Sequence, residues 1–256
     1  MTALVPIAAR ELKDLWLAGR GLVLLLAFTV LLGVTTYLVA TNQALNFLEQ
    51  RESVNLTLQV AVAVGGLLVL LTAADAISGE RERGTLESLL LAPVSRRAIV
   101  VGKALSALSL WVACFVATGI YVHALGSAVG VAWSALVAGL VVGSLLAAFL
   151  AGLGVLVSML AASNRLSLSV SLFVLLALYA PTQMPTSTQF GWLGDALTHV
   201  DPFTAGLQVL SNVVVGGQAL GDQDSWLIAP ALATAAVWAA VVALAGRLRL
   251  DGGGRA

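Results

Sequence analysis

The sequence predicts an all-α, polytopic membrane protein, and three observations carry that prediction. Hydrophobic residues make up 59% of the 256 positions and charged residues only 10%, against about 25% charged in soluble domains. Apolar runs of about 20 residues, the length a helix needs to cross a bilayer, recur along the chain. The 13 Lys and Arg residues fall almost entirely on one side of the topology those runs define. Such spans must be helical, because a helix satisfies every backbone polar group within its own segment.

Residues 1–19 are too polar to span. Leu4, Ala8, Leu12, Leu15 and Trp16 share one helical face, with Arg10, Glu11, Lys13 and Asp14 mostly opposite. The pattern predicts a helix lying in the membrane interface, with Trp16 at headgroup depth. Six spans follow, over about 21–40, 57–77, 99–122, 131–157, 167–181 and 226–246. The first is longer than a signal-peptide core of about 7–15 residues and lacks a small-x-small cleavage site, so it is expected to be retained.

Six spans put both termini on one side. If that side is the cytoplasm, it holds Arg10, Lys13, Arg20, Arg81, Arg83, Arg96, Arg97, Lys103, Arg165, Arg247, Arg249 and Arg255, leaving only Arg51 outside. That asymmetry predicts cytoplasmic termini in a multi-pass protein of the cytoplasmic (inner) membrane. No linker or repeat divides the chain, so 1–256 is expected to be a single transmembrane domain.

In the fourth span Gly139, Gly143, Ala147 and Ala151 recur every four residues, a stripe that lets another helix approach closely. Its neighbour could be in the same chain or in a second copy. The fifth span ends at Pro181, which cannot extend the hydrogen-bond ladder. Residues 182–225 are extracytoplasmic in this topology yet apolar, which predicts one or two short helices on or dipping into the outer leaflet. Pro202 suits the first turn of one, with Asp201 as N-cap.

The charge is concentrated in DAISGERERGTLESLLLAPVSRRAIVVGKAL, residues 75–105, which hold nine of the 26 Asp, Glu, Lys and Arg residues. Residues 78–98 form the expected cytoplasmic loop. Within it Thr85 is a candidate N-cap, Glu87 suits a first helical turn, and Pro93 stops the helix. Leu86, Leu89 and Leu90 share one face, framed by Glu80, Arg81, Glu82 and Arg83 before and by Arg96 and Arg97 after. A two-turn helix is marginal alone. Burying its leucines on a partner would contribute roughly 1.5–3 kcal/mol each before entropic costs. Docking into another protein and resting on the membrane surface are both compatible with the composition.

The detailed sequence of this stretch resembles the segment between the second and third spans of ABC type-2 transporter permeases. Ile77, Ser78, Glu80, Glu82, Gly84, Thr85, Leu86, Glu87, Leu89, Leu90, Pro93, Val94, Ser95, Arg96, Gly102 and Lys103 carry the match, and Val200–Leu210 is similar to a less specific Pro-centred motif before the last span. The subgroup it most resembles includes permeases of nitrous-oxide-reductase maturation and small drug or antibiotic exporters. The resemblance implies that Glu80–Leu86, Glu87, Leu89, Leu90, Pro93 and Arg96 form a coupling helix docking on a cytoplasmic ABC ATPase dimer. It also implies a second permease chain, a homodimer being the expectation. ATP and Mg would be held by the ATPase. The function so implied is export of a hydrophobic or amphipathic substrate; the alternative is ATP-driven mechanical transmission to an extracytoplasmic partner in metalloenzyme maturation.

The residues point away from other chemistries. No G-x-x-x-x-G-K-[ST] loop is present, so the chain is not expected to be an enzyme or to bind a cofactor. Gly152 and Gly154 read as helix packing. His123 and His199 are far apart and lack metal-ligand spacing, and Cys114 lies in an apolar run as a core residue. Zero net charge gives no case for nucleic acid. Asp75 is the one acid close to span depth, expected to pair with a loop arginine or to face water.

Overall fold

The computed structural model describes residues 4–41, 47–86, 94–183 and 199–246. Among them there is no strand. Eight helices are defined: α1 (Leu4–Leu17), α2 (Arg20–Ala40), α3 (Phe47–Glu82), α4 (Arg96–Gly126), α5 (Ala132–Leu160), α6 (Asn164–Tyr179), α7 (Pro202–Val214) and α8 (Asp224–Ala245). Six helical segments are long and apolar enough to cross a membrane, those built on α2 to α6 and α8. The all-α expectation and its six spans therefore stand, with α1 and α7 as the shorter additions.

The bundle is built around α3 and α5. Both are heavily buried, whereas α2 and α8 bury only 11% of their apolar windows. Such all-round apolar helices need a second apolar medium on their outer faces. Leu22, Leu26, Val30 and Leu38 of α2 and Ile228 and Leu232 of α8 are accordingly exposed.

The small-residue stripe is answered within the chain. Gly139 faces Leu58 of α3, and a Cβ there would come 2.7 Å from its Cδ1. Gly143 faces the Trp111 ring of α4 and Val62 of α3, and Trp111 Nε1 donates to Ser144 Oγ at 3.1 Å. Ala147 and Ala151 are buried in the same core. Gly154 lies against the α3 backbone, where a Cβ would meet the Leu70 carbonyl oxygen at 2.7 Å. Gly152 turns the other way, toward Val237 and Trp238 of α8, whose indole donates to the Ala148 carbonyl at 3.0 Å.

α3 departs most from expectation. It has 36 residues rather than the 21 of 57–77, about 54 Å at 1.5 Å per residue. Glu, Arg, Gln and Ser interrupt its apolarity at both ends without breaking the helix, since none of them removes a backbone donor or demands a special φ. Ser78 to Glu82 are thus helical, and the expected loop starts later than residue 78. The end comes at Gly84, with φ +71. Gly84 N donates to the Arg81 carbonyl at 3.2 Å and Thr85 N to that of Glu80 at 3.0 Å, the paired bonds of a Schellman motif.

Pro202 begins α7, and Asp201 caps it by accepting from Thr204 N at 2.7 Å. The helix goes deeper than a surface position. Phe203, Leu207, Leu210, Val213 and Val214 join the main core, and Gly206 meets Val142 and Leu146 of α5. Those contacts lie roughly 15–21 Å along α5 from its start. A 3-10 turn over Leu220–Gln223 leads into α8, and His199 stacks on Trp226 with ring centroids 4.1 Å apart. The remainder of the expected outer segment, 184–198, lies outside the described residues.

Gly154→Ala should lower the thermal unfolding midpoint of the purified protein, because overpacking costs about 1–3 kcal/mol and exceeds the roughly 1 kcal/mol by which alanine is the better helix former. Gly119→Ala is the control. Its Cβ would find its nearest neighbour, Leu136, at 3.8 Å, so the midpoint should hold or rise.

Candidate functional site: a polar collar at the charged end of the bundle

The end of α3 that leads into the charged loop is wired to its neighbours by polar side chains. Asp75 is the innermost. Its Oδ2 accepts from Arg20 Nη1 of α2 at 2.7 Å, and its Oδ1 from Asn164 Nδ2 of α6 at 2.8 Å. Asp75 and Ser78 lie i, i+3 on one face, and Asn164 spans both, its Oδ1 accepting from Ser78 Oγ at 3.0 Å. Ser158 of α5 places its Oγ 3.0 and 2.9 Å from the Ile77 and Ser78 amides. Ser167 of α6 donates to the Ala74 carbonyl at 2.7 Å.

One turn further out, Arg81 points inward. Its guanidinium donates to the carbonyls of Ala161 and Met159, the uncovered C-terminal end of α5. A cation there meets the negative end of the helix dipole as well as orphaned acceptors. On the opposite side of α3, Glu80 accepts from Lys103 Nζ of α4 at 3.3 Å and from Thr85 Oγ1. The same ammonium reaches Glu11 of α1 at 3.0 Å. Lys103 is 3% exposed at its side chain, so this is a buried cation between two carboxylates that are 19% and 23% exposed.

A polar cleft of about 150 Å³ lies between α1, α2, α3 and α4, lined by Glu11, Asp14, Arg20, Asp75, Glu80, Arg83 and Lys103 among others. Each of these charges has an ion-pair partner, Asp14 with Arg10 and Arg83 with Glu80 at 3.8 Å each. The pairing makes the cleft a joint between helices. Among the described residues no group of three His, Cys, Asp or Glu side chains could hold a metal ion.

The residues expected to couple to a partner separate into three sets. Glu80 and Arg81 are committed to contacts inside the chain. Glu82 closes α3, and Arg83, Gly84 and Thr85 form the turn after it, all four close to or in solvent. Leu86 packs against the bundle's own core, because the Gly84 turn brings the chain back toward it, so this leucine is not free for a partner as its shared face with Leu89 and Leu90 suggested. Glu87, Leu89, Leu90 and Pro93 lie outside the described residues. Arg96 opens α4 behind Ser95, whose Oγ accepts from the Ala98 amide at 3.2 Å.

Asp75 takes its arginine from the start of α2 rather than from the loop. Glu11, Arg20, Ser158, Asn164 and Ser167 had no assigned role in the sequence. Their signal was rarity, each a polar residue at the charged-side end of an apolar run.

Lys103→Met should destabilise the protein by about 3–5 kcal/mol, since it leaves two part-buried carboxylates facing each other. Adding Glu11→Gln and Glu80→Gln to the same chain should recover most of that loss, read as the thermal midpoint of the three purified forms.

A family model described as ABC-2 family transporter protein matches residues 5–250 of the chain. No curated protein matches it.

Proposed function

The chain belongs to the ABC-2 transporter family, and from that membership we propose that it is the permease subunit of an ABC transporter, coupling ATP hydrolysis by a separate ATPase to export of a hydrophobic or amphipathic substrate. The termini and the charged loop face the cytoplasm in this reading, and two permease chains work with two ATPase chains. The observation that carries it is the collar. A displacement delivered to the segment after Glu82 is passed directly to α2 through Arg20, to α4 through Lys103, to α5 through Arg81, and to α6 through Asn164.

The nature of the cargo is argued from the spans. Charged side chains at span depth cluster at the charged end, Asp75 and Lys103, and both are ion-paired. An ion-coupled carrier would need ionisable groups along its path. The stretches of α2, α5, α6 and α8 that cross the bilayer offer apolar and hydroxyl side chains, suited to a molecule that shares the bilayer's own chemistry. Glu82, Arg83, Gly84, Thr85, Glu87, Leu89, Leu90, Pro93 and Arg96 are assigned to the ATPase contact, with charges giving register and apolar groups the affinity.

The experiment is ATP turnover by the ATPase encoded beside this gene, reconstituted in liposomes with and without the permease. Wild type should stimulate turnover, and Leu89→Asp with Leu90→Asp should abolish both stimulation and co-purification while membrane insertion is retained. Normal co-purification and stimulation by the double variant would overturn the coupling assignment.

A further inference from the structure

α1 precedes α2 in the chain, yet it is fastened to α4. A Cβ at Gly102 would meet Ile7 Cγ2 at 2.8 Å, so α1 lies directly on the α4 backbone there. Lys103 reaches Glu11 at 3.0 Å, Ser106 Oγ donates to the Glu11 carbonyl at 3.3 Å, and Trp16 Nε1 donates to Ser109 Oγ at 3.1 Å. Positions 102, 103, 106 and 109 share one face of a helix. The joint to α2 is different. It is Gly19, at φ +82 with nothing within 4 Å of where a Cβ would stand. Only glycine adopts that conformation without strain, and nothing packs around it. The helix beyond it buries 11% of its apolar window, against 56% for α4.

α4 is also the helix that leaves the charged loop, and Lys103 is shared between α1 and Glu80 at the end of the helix that enters it. One buried ammonium thus joins three elements around the loop. We infer that Lys103 is a positioning residue that binds α1 to the loop-bearing ends of α3 and α4, so that α1 moves with the coupling loop, turning about Gly19, while the body of α2 moves separately. This rests on the proposed coupling function and adds to it a moving part: the N-terminal helix is carried through the cycle and is not a fixed membrane anchor.

The test is a pair of spin-label distances in the permease–ATPase complex in lipid, without nucleotide and with Mg-ATP and orthovanadate. The single cysteine, Cys114, is buried and is replaced by Cys114→Ala. Labels go on Arg10→Cys with Ile120→Cys, reporting α1 against α4, and on Arg10→Cys with Val34→Cys, reporting α1 against α2; these positions are exposed. The expected result is an unchanged first distance and a nucleotide-dependent shift in the second. Glu11→Leu, which cuts only α1's arm and leaves Lys103 on Glu80, should broaden the first distribution and lose the shift in the second. Glu11→Gln keeps an oxygen acceptor for Lys103 and should behave as wild type.

A first distance that shifts with nucleotide, or a Glu11→Leu variant as sharply distributed as wild type, overturns the inference. So does a wild-type complex in which neither distance responds. The coupling function itself is judged separately by the turnover of the Leu89/Leu90 variant, so failure of one is distinguishable from failure of the other.

Discussion

Where a helix leaves a bilayer, a charge on its buried side must find a partner in another helix, because the medium offers too little water to solvate it. The end of α3 is organised by that requirement. Asp75, Glu80 and Arg81 lie at successive turns and point in different directions, so each takes its partner from a different neighbour. The helices are thereby fixed in register at one end of the bundle by directional bonds, while dispersion and close packing hold the remainder. A buried ion pair adds little net stability compared with apolar residues of the same shape, but removing one partner is expensive. Such an arrangement selects one relative placement of the helices over the alternatives that greasy surfaces would tolerate.

Packing between α3 and α5 depends on the absence of side chains. Gly154 brings the two backbones together near the collar, and Gly139 admits Leu58 further along. Between them Gly143 makes room for the Trp111 ring, so the stripe accommodates α3 and α4 at once. Close helix approach in membranes increases dispersion contact where no hydrophobic driving force separates helix from lipid. The stripe and the collar are complementary: one sets how near the helices lie, the other how far each has slid along its neighbour.

The six spans were legible because composition and length decide them, and so was the Asp201–Pro202 start of α7, a local cap needing only adjacent residues. The extent of α3 was not. Hydropathy marks where apolar residues stop, whereas the helix stops where a backbone breaker occurs, at Gly84. The collar was legible only in part. Sequence spacing shows that Asp75 and Ser78 share a face, but that Asn164 bridges them depends on how α6 docks, a tertiary fact with no local trace. Arg81 was read with its neighbours as an outward-facing charge. Its inward turn follows from the end of α5 lying beside it, and no pattern within residues 75–105 encodes that. Leu86 differs for the same kind of reason, since the backbone reversal before it sets which way it faces.

The length of α3 has a mechanical meaning. A helix of 36 residues measures about 54 Å, against a hydrocarbon core of about 30 Å, so close to half of it stands outside the apolar layer. With its middle gripped by α5, a tilt of 10° about that grip would sweep each end through about 5 Å, taking half the length of about 27 Å as the radius. That is close to one helical pitch. A rotation small enough to leave the glycine contacts near the fulcrum almost undisturbed would therefore be magnified at the two tips, and in opposite directions.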